Sequence, residues 1–227
     1  MQVAIAAEVE GLRLSSGEAR RIARFELARY AAQALAMPYR PFRDAAVRMR
    51  YDVDALAARF NVSFQQAASR LATLSRPGAA GVPFFLIEID HAGNRLRVAG
   101  AEGFPARFGG QCPKLPVYAA FAEAGQVLAE TAELPDGSAF LLVARTLEGP
   151  LGAYGERLRR TAILLGCALE AGAETVYGAA RARENVAIGP ACRLCERQGC
   201  VARAEPPLTR PLGLDEMVAG LSAFDFQ

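Results

Sequence analysis

The sequence predicts an α+β fold in which a helical N-terminal part precedes a sheet of antiparallel strands. Apolar residues recur at helical spacing from residue 16 to 75, and the segment SRPGAAG at 75–81 then interrupts this pattern. Beyond the break, apolar and polar residues alternate as they do in strands, and turn residues join neighbouring segments. Strands that pair as hairpins favour an antiparallel sheet over a parallel dinucleotide-binding sheet.

Four helices are predicted in the N-terminal part. The first begins near Ser16, runs through GEARRIARFELARYAAQALAM and ends at Pro38 and Pro41, because proline cannot continue helical hydrogen bonding. FRDAAVRMRY, DVDALAARF and SFQQAASRLATL follow, and Ser63 is the predicted N-cap of the last helix. The final two helices form a helix–turn–helix pattern, which is typical both of a DNA-reading element and of helices that only pack.

Five segments are predicted as strands. PFFLIEID and RLRVAG form a hairpin across Gly93 and Asn94, with Leu96 and Val98 facing inward. GQVLAETAEL and FLLVART form a second pair around the turn PDG, and ETVYGA is a last strand. YGERLRRTAILLGCALEAGA is instead predicted as a helix that lies on the sheet, and LDEMVAGLSAF as a short C-terminal helix.

The composition is that of an ordinary globular protein. Hydrophobic residues make up 52% of the chain and charged residues 22%, and the formal net charge of +2 does not indicate a nucleic-acid surface. No run approaches the roughly 20 apolar residues of a membrane span, and the N-terminus has no secretory signal. These features predict a soluble cytoplasmic protein with no membrane partner, in which cysteines more often bind metal than form disulfides.

Four of the five cysteines are candidate ligands of one metal site. Cys192, Cys195 and Cys200 lie within the nine residues CRLCERQGC, and Cys112 stands far upstream in GGQCP. Four thiolates suit either tetrahedral zinc or an iron–sulfur cluster. One Cys-x2-Cys pair with two additional cysteines, rather than two such pairs, favours the cluster over zinc. Cys167, in ILLGCALE, is predicted to be a packed thiol.

Several ordered motifs between residues 80 and 210 resemble a known family, among them GVPFFLIEIDHAGNRLRVAG, PDGSAFLLVART and IGPACRLCERQGCVARAEPPL. They are similar to the C-terminal region of the short-chain fatty-acyl transcriptional regulators, a bacterial family related to ImmA/IrrE proteins. The resemblance implies a homodimeric sensor that binds short-chain acyl-CoA and controls genes of fatty-acid, propionate or acetate metabolism. It also implies a [4Fe–4S] cluster on Cys112, Cys192, Cys195 and Cys200.

The N-terminal helices resemble a degenerate ImmA/IrrE peptidase-like module. Where that module carries two metal-binding histidines and a catalytic acid, the stretch RFELARYAAQ has Arg29, Tyr30 and Gln33. Zinc proteolysis needs two imidazoles four residues apart and a carboxylate base, so we do not expect an enzyme. Family members ordinarily read DNA through a helix-turn-helix head. The residues ahead of position 16 are too few to form one, so DNA is expected to be bound only through a domain absent from this chain.

Three regions follow from these patterns: a helical, degenerate peptidase-like module at 1–77, an antiparallel-sheet, GAF/PAS-like acyl-CoA sensor at 78–188, and a Cys-rich metal-binding segment with a C-terminal helix at 189–227. Two other functions remain open, a zinc-stapled protein-interaction module and an iron–sulfur redox enzyme. An acyl-CoA sensor needs cationic groups for the phosphates. The candidates for that role are Arg95, Arg97, Arg107 and Arg145.

Overall fold

The computed structural model describes residues 2–100, 112–149, 153–182 and 184–211, and within them the predicted α+β class is confirmed. The helices are α1 (Gln2–Gly11), α2 (Gly17–Ala36), α3 (Tyr39–Arg48), α4 (Val53–Phe60), α5 (Phe64–Leu71) and the short α6 (Pro116–Ala119). The strands are β1 (Phe85–Asp90), β2 (Arg95–Gly100), β3 (Leu128–Glu133), β4 (Ala139–Glu148), β5 (Arg160–Ala168) and β6 (Val186–Ala187).

The strands form one six-stranded sheet in the order β2-β1-β5-β4-β3-β6. All neighbours are antiparallel except β3 and β6, which pair in parallel. One face packs against α3, α4 and α5, and the other against α6 and the segment around Ile188. None of the helices in the described ranges combines the length and the apolar character that crossing a membrane requires.

Local signals explain the confirmed helices α4 and α5. The Asp52 side chain caps α4 by accepting a hydrogen bond from the Ala55 N–H, and Asn61 ends it in the left-handed conformation. Ser63 caps α5 as predicted, and Gln66 completes a capping box by returning a bond to the Ser63 backbone N–H.

The predicted helix over YGERLRRTAILLGCALEAGA is wrong, because residues 160–168 form the central strand β5. Both faces of β5 are covered: Ile163 and Leu165 face the helices, whereas Ala162 and Leu164 face the opposite core. A strand buried on both faces is a continuous apolar run, and such a run resembles a buried helix in sequence.

Three smaller predictions also change. ETVYGA is not a strand but lies in two 3₁₀ turns, Ala171–Glu174 and Val176–Ala182. In β2 the predicted orientation is reversed: Leu96 and Val98 are 43% and 59% exposed, whereas Arg97 turns toward α5 and contacts Ser69. Helix α1 was not predicted, and LDEMVAGLSAF lies outside the described residues.

Helices α4 and α5 are held on the sheet by polar side chains as well as by the core. Cross-strand register places Arg97, Glu88, Ile163 and Arg145 in one row on the helical face. Arg97 donates to Ser69, and the Gln65 amide donates to Glu88. Arg145 pairs with Asp54. The row therefore docks the helical module on three different strands.

Gly166→Ala is expected to destabilise the protein by about 1–3 kcal/mol. A β-carbon at this position would lie 2.2 Å from the ring of buried Phe85. That ring packs edge-on against Phe140. Urea unfolding measures the change in free energy. Gly17→Ala is the matched control, since nothing lies within 4 Å of a β-carbon at that position. Equal unfolding midpoints for the two variants would contradict the close packing of Phe85 on this glycine.

Candidate metal centre

The three C-terminal cysteines lie on a loop that follows the edge strand β6. The loop is tied to β3, because the Ile188 N–H donates to the Glu133 carbonyl at 2.9 Å. Cys192 begins a 3₁₀ turn that ends at Leu194, and Cys195 follows it directly. The first two cysteines are therefore separated by a single tight turn.

All four predicted ligands line one cavity of about 20 Å³. Cys112 reaches it from the segment that leads into α6. Cys112 and Cys195 are each 7% exposed, and all five cysteines of the chain are free thiols. The fold therefore brings together the distant cysteines that the sequence singles out.

The environment of Cys112 combines burial, amide donors and neighbouring sulfur. Burial raises the pKa of the Cys112 thiol, and the nearby Cys192 and Cys195 add to that rise. Hydrogen bonds from the backbone amides of Gly189 and Lys114 act in the opposite direction and stabilise the thiolate. Cys192 has a similar donor, because the Ala204 N–H lies 3.5 Å from its Sγ.

Gly189 allows Cys195 to approach the cavity. A β-carbon at position 189 would lie 2.5 Å from the Cys195 Sγ and 2.8 Å from its Cβ. Both distances are too short for any side chain, so only glycine fits against this cysteine. No sequence signal identifies Gly189, because its role depends on a contact that exists only in the folded loop.

Two arginines hold the cysteine loop through its carbonyl groups. Arg203, 7% exposed, donates to the carbonyls of Cys192 and Cys195 at 3.1 Å each and of Arg197 at 2.7 Å. Arg197 donates to the carbonyls of Ile188 and Glu133 at 2.8 Å each. The first arginine shapes the loop around the cysteines, and the second fastens it to the sheet.

In the described parts of the chain, no group of three or more His, Cys, Asp or Glu side chains that could hold a metal ion is assembled. The four thiols thus share a cavity without forming a ready-made single-ion site. Cysteine side chains can rotate about χ1, so small rotations or closure of the loop would be needed to place all four sulfur atoms around one centre.

Cys167 is separate from this group. It lies on β5, is 1% exposed and faces the core against the helices. Burial raises the pKa of its thiol to about 12, so the neutral thiol persists at physiological pH. This environment is that of a packed side chain.

The predicted phosphate-binding arginines do not form one group. Arg97 and Arg145 lie on β2 and β4, three strands or about 14 Å apart, and both contact the helical module. Arg145 also stacks on the Phe64 ring at 4.8 Å. Arg95 is exposed on the edge strand, and Arg107 lies outside the described residues.

The three peptidase-like positions on α2 carry neither a histidine nor a carboxylate, and their surroundings differ. Gln33 is buried, Arg29 pairs with Glu26, and the Tyr30 hydroxyl accepts a hydrogen bond from Arg70. The polar residues of α5 are engaged in a similar way, since Gln65 and Ser69 contact the sheet and Arg70 is 2% exposed. These contacts favour α5 as a packing helix over α5 as a DNA-reading helix.

Two family models together match nearly the whole chain. The short-chain fatty acyl coenzyme A regulator, C-terminal family matches residues 73–224, and the IrrE N-terminal-like domain matches residues 1–72. A solved structure described as a Mycobacterium tuberculosis transcriptional regulator has a TM-score of 0.90 and 36% identity to this chain. The match covers 97% of this chain and 68% of that one.

Three curated relatives are described as regulators, two of them as HTH-type transcriptional regulators. The propionyl-CoA carboxylase regulator of Cereibacter sphaeroides is 43% identical over 216 residues, and the HTH-type transcriptional regulator RamB of M. tuberculosis is 42% identical over 219 residues. The HTH-type transcriptional regulator PrpR of M. tuberculosis is 39% identical over 207 residues. These matches cover 94%, 93% and 88% of this chain but only 47%, 46% and 42% of the relatives, so the chain spans about half their length.

Proposed function

The chain belongs to the short-chain fatty acyl coenzyme A regulator family, and from this premise we propose that it is the ligand-sensing region of a cytoplasmic bacterial transcriptional regulator. Its proposed ligand is a short-chain acyl-CoA, and its proposed targets are genes of fatty-acid, propionate or acetate metabolism. The observation that carries the proposal is the match to the acyl coenzyme A regulator family over residues 73–224. The name of the C. sphaeroides relative, a propionyl-CoA carboxylase regulator, supports the same ligand class.

We further propose a [4Fe–4S] cluster held by Cys112, Cys192, Cys195 and Cys200. The donor set fits: four thiols line one cavity, and backbone amides point at two of the sulfur atoms. When bound, such a cluster supplies one-electron redox chemistry and cross-links its ligands. The four cysteines would thereby tie the loop after β6 to the segment before α6.

The neighbouring residues of this chain have defined roles in such a site. Amide groups of Gly189, Lys114 and Ala204 donate to sulfur and favour the thiolate form that metal binding requires. Arg203 fixes the backbone on which Cys192 and Cys195 stand. In this proposal the amide groups favour deprotonated sulfur, and Arg203 holds the backbone of Cys192 and Cys195 before a metal centre is present.

For signalling, we propose that acyl-CoA binding favours one arrangement of the sensor and that a homodimer passes this preference to DNA. DNA contact is assigned to a helix-turn-helix domain of the kind named in RamB and PrpR rather than to α4 and α5. The polar side chains of α5 are already engaged by the sheet and by α2, which supports this division of roles.

Acyl-CoA binding should raise the unfolding temperature. A ligand present at a hundred times its dissociation constant stabilises the native state by about 2.7 kcal/mol, which corresponds to about 5 °C or more for a domain of this size. Thermal unfolding with acetyl-, propionyl- or butyryl-CoA measures the shift, with AMP and free propionate as controls. The absence of a shift with every acyl-CoA would contradict the proposed sensing function.

A further inference from the structure

Helices α1 and α2 pack against each other and leave an open groove along their junction. Ile5 and Val9, four residues apart, are the buried residues of α1. Beside them lies a groove of about 700 Å³, with apolar walls that include Val3 of α1 and Phe25 and Ala28 of α2. Val3 is 85% exposed and Phe25 is 66% exposed. Large apolar side chains that stand together in solvent indicate a contact surface.

The charged groups that line this groove are positive. Arg21 and Arg24 belong to its lining, and among the described residues no carboxylate does. Both arginines are exposed, and neither forms an ion pair with another residue of the described ranges. An apolar groove with two unpaired arginines fits an amphipathic helix that carries an acidic group.

The outer face of α1 has the complementary chemistry. Val3, Ala7 and Glu10 follow one another at spacings of four and three residues, which places them on one side of the helix. All three residues are exposed, and Glu10 has no ion-pair partner in the part of the chain that the structure describes. The helix contains two glutamates and no basic residue. The same chain therefore presents a basic apolar groove and an acidic apolar helix face.

We propose that α1 of one copy of this chain lies in the α1–α2 groove of a second copy, an inference that rests on the homodimer of the proposed function and assigns its interface. Each protomer gives its own α1 and receives that of its partner, so every contact occurs twice about a two-fold axis. Val3 and Ala7 pack against the partner's Phe25. The Glu10 carboxylate lies beside the partner's Arg21 and Arg24.

Helix α2 connects this interface to the sheet. Tyr30 lies on the same helix five residues beyond Phe25, and its hydroxyl accepts a hydrogen bond from Arg70 of α5 at 3.2 Å. Helix α5 is in turn docked on the sheet by the contact between Ser69 and Arg97. A change in how the helical module sits on the sheet would therefore move the two grooves of the dimer relative to each other.

Sedimentation equilibrium of the whole chain, purified without oxygen, measures the dissociation constant of the dimer. Phe25→Arg replaces an apolar contact by a third positive charge in the groove and should weaken the dimer about tenfold or more. Because Phe25 is exposed in one copy, circular dichroism should show unchanged helix content. Tyr154→Arg, which makes the same kind of change at a fully exposed aromatic residue outside the groove, is the matched control.

An exchange of charges tests the pairing of α1 with the groove. Glu10→Arg, and separately the double variant Arg21→Glu with Arg24→Glu, set like charges against each other and should each weaken self-association about tenfold or more. An equimolar mixture of the two should dimerise like the wild type, because opposite charges then meet at both grooves. Glu8→Arg is the control on the same helix, since Glu8 lies about 200° around α1 from Glu10.

The outcomes separate this interface from the homodimer on which it rests. If the wild type and all variants dimerise equally well, the homodimer stands and the interface assigned to α1 and its groove is wrong. A monomeric wild type overturns both, and the groove then serves a different partner. If the two charge variants are monomeric and stay so when mixed, the pairing of Glu10 with the arginines is wrong. Should Phe25→Arg lose helix content, the charge exchange decides alone.

Discussion

Cys195→Ser is expected to abolish binding of the proposed iron–sulfur cluster. Cys195 is the most enclosed of the three loop cysteines, and its sulfur lies against Gly189, so no other thiol can take its place without moving the backbone. Serine keeps the volume but replaces a thiolate by a weakly acidic hydroxyl, which is a poor ligand for iron in a sulfur cluster. The iron and sulfide content of the anaerobically purified variant should fall to background, and its absorbance at about 400 nm should disappear.

The fifth cysteine supplies a matched control. Cys167→Ala removes a thiol from the core behind β5, where it contacts none of the four candidate ligands. We expect a loss of about 1 kcal/mol of stability and an unchanged iron and sulfide content. Equal iron content in Cys195→Ser and the wild type would contradict the ligand assignment. If the wild-type protein is colourless and contains one zinc per chain, the proposed cluster is wrong and the four cysteines bind a structural zinc ion instead.

Local chemistry made much of the helical part predictable. Ser63 and Gln66 form a capping box that depends on residues only three positions apart, so the start of α5 is encoded within one turn. Asn61 likewise ends α4 through its own left-handed conformation. Signals that span only a few residues can be read from the sequence because they do not depend on the rest of the fold.

The central strand shows where such reasoning fails. The run TAILLGCA of β5 is apolar on both faces, since one face meets the helices and the other the opposite core. Periodicity cannot distinguish this run from a buried helix. The run becomes a strand because it pairs with β1 and β4. Strand β4 directly precedes β5 among the strands of the chain, but β1 begins about 75 residues earlier. Burial on both sides is a property of the assembled sheet.

The two kinds of candidate site residue differ for a related reason. Cysteines are few, so their chemical type alone predicted that Cys112 and the loop cysteines belong together, and they do share one cavity. Arginines are many, and the sequence does not distinguish one that binds a ligand from one that docks a helix. In the structure, sheet register places Arg97 and Arg145 on the face that contacts the helical module, a placement that cannot be read from the sequence.

Arg203→Met should loosen the cysteine loop although it leaves every thiol in place. Arg203 satisfies three carbonyl groups of the loop, including those of Cys192 and Cys195. Methionine retains an unbranched apolar side chain but donates no hydrogen bond, so these carbonyls lose charge-assisted partners in a buried setting. Substitutions of this kind beside metal ligands typically weaken metal binding 10–100-fold, so we expect iron transfer to a ferrous chelator to accelerate by about that factor.

Arg193→Met is the control for Arg203→Met, because it removes an arginine from the same loop at a different place. Arg193 is half exposed and pairs with the exposed Glu205, and a surface pair of this kind contributes about 0–1 kcal/mol. Its iron transfer should match that of the wild type, and amide exchange over residues 189–204 should accelerate only in Arg203→Met. If both variants transfer iron at the wild-type rate, the cysteines are positioned by their own contacts with sulfur and metal. The buried arginine would then stabilise the loop after assembly and would not prepare it for metal binding.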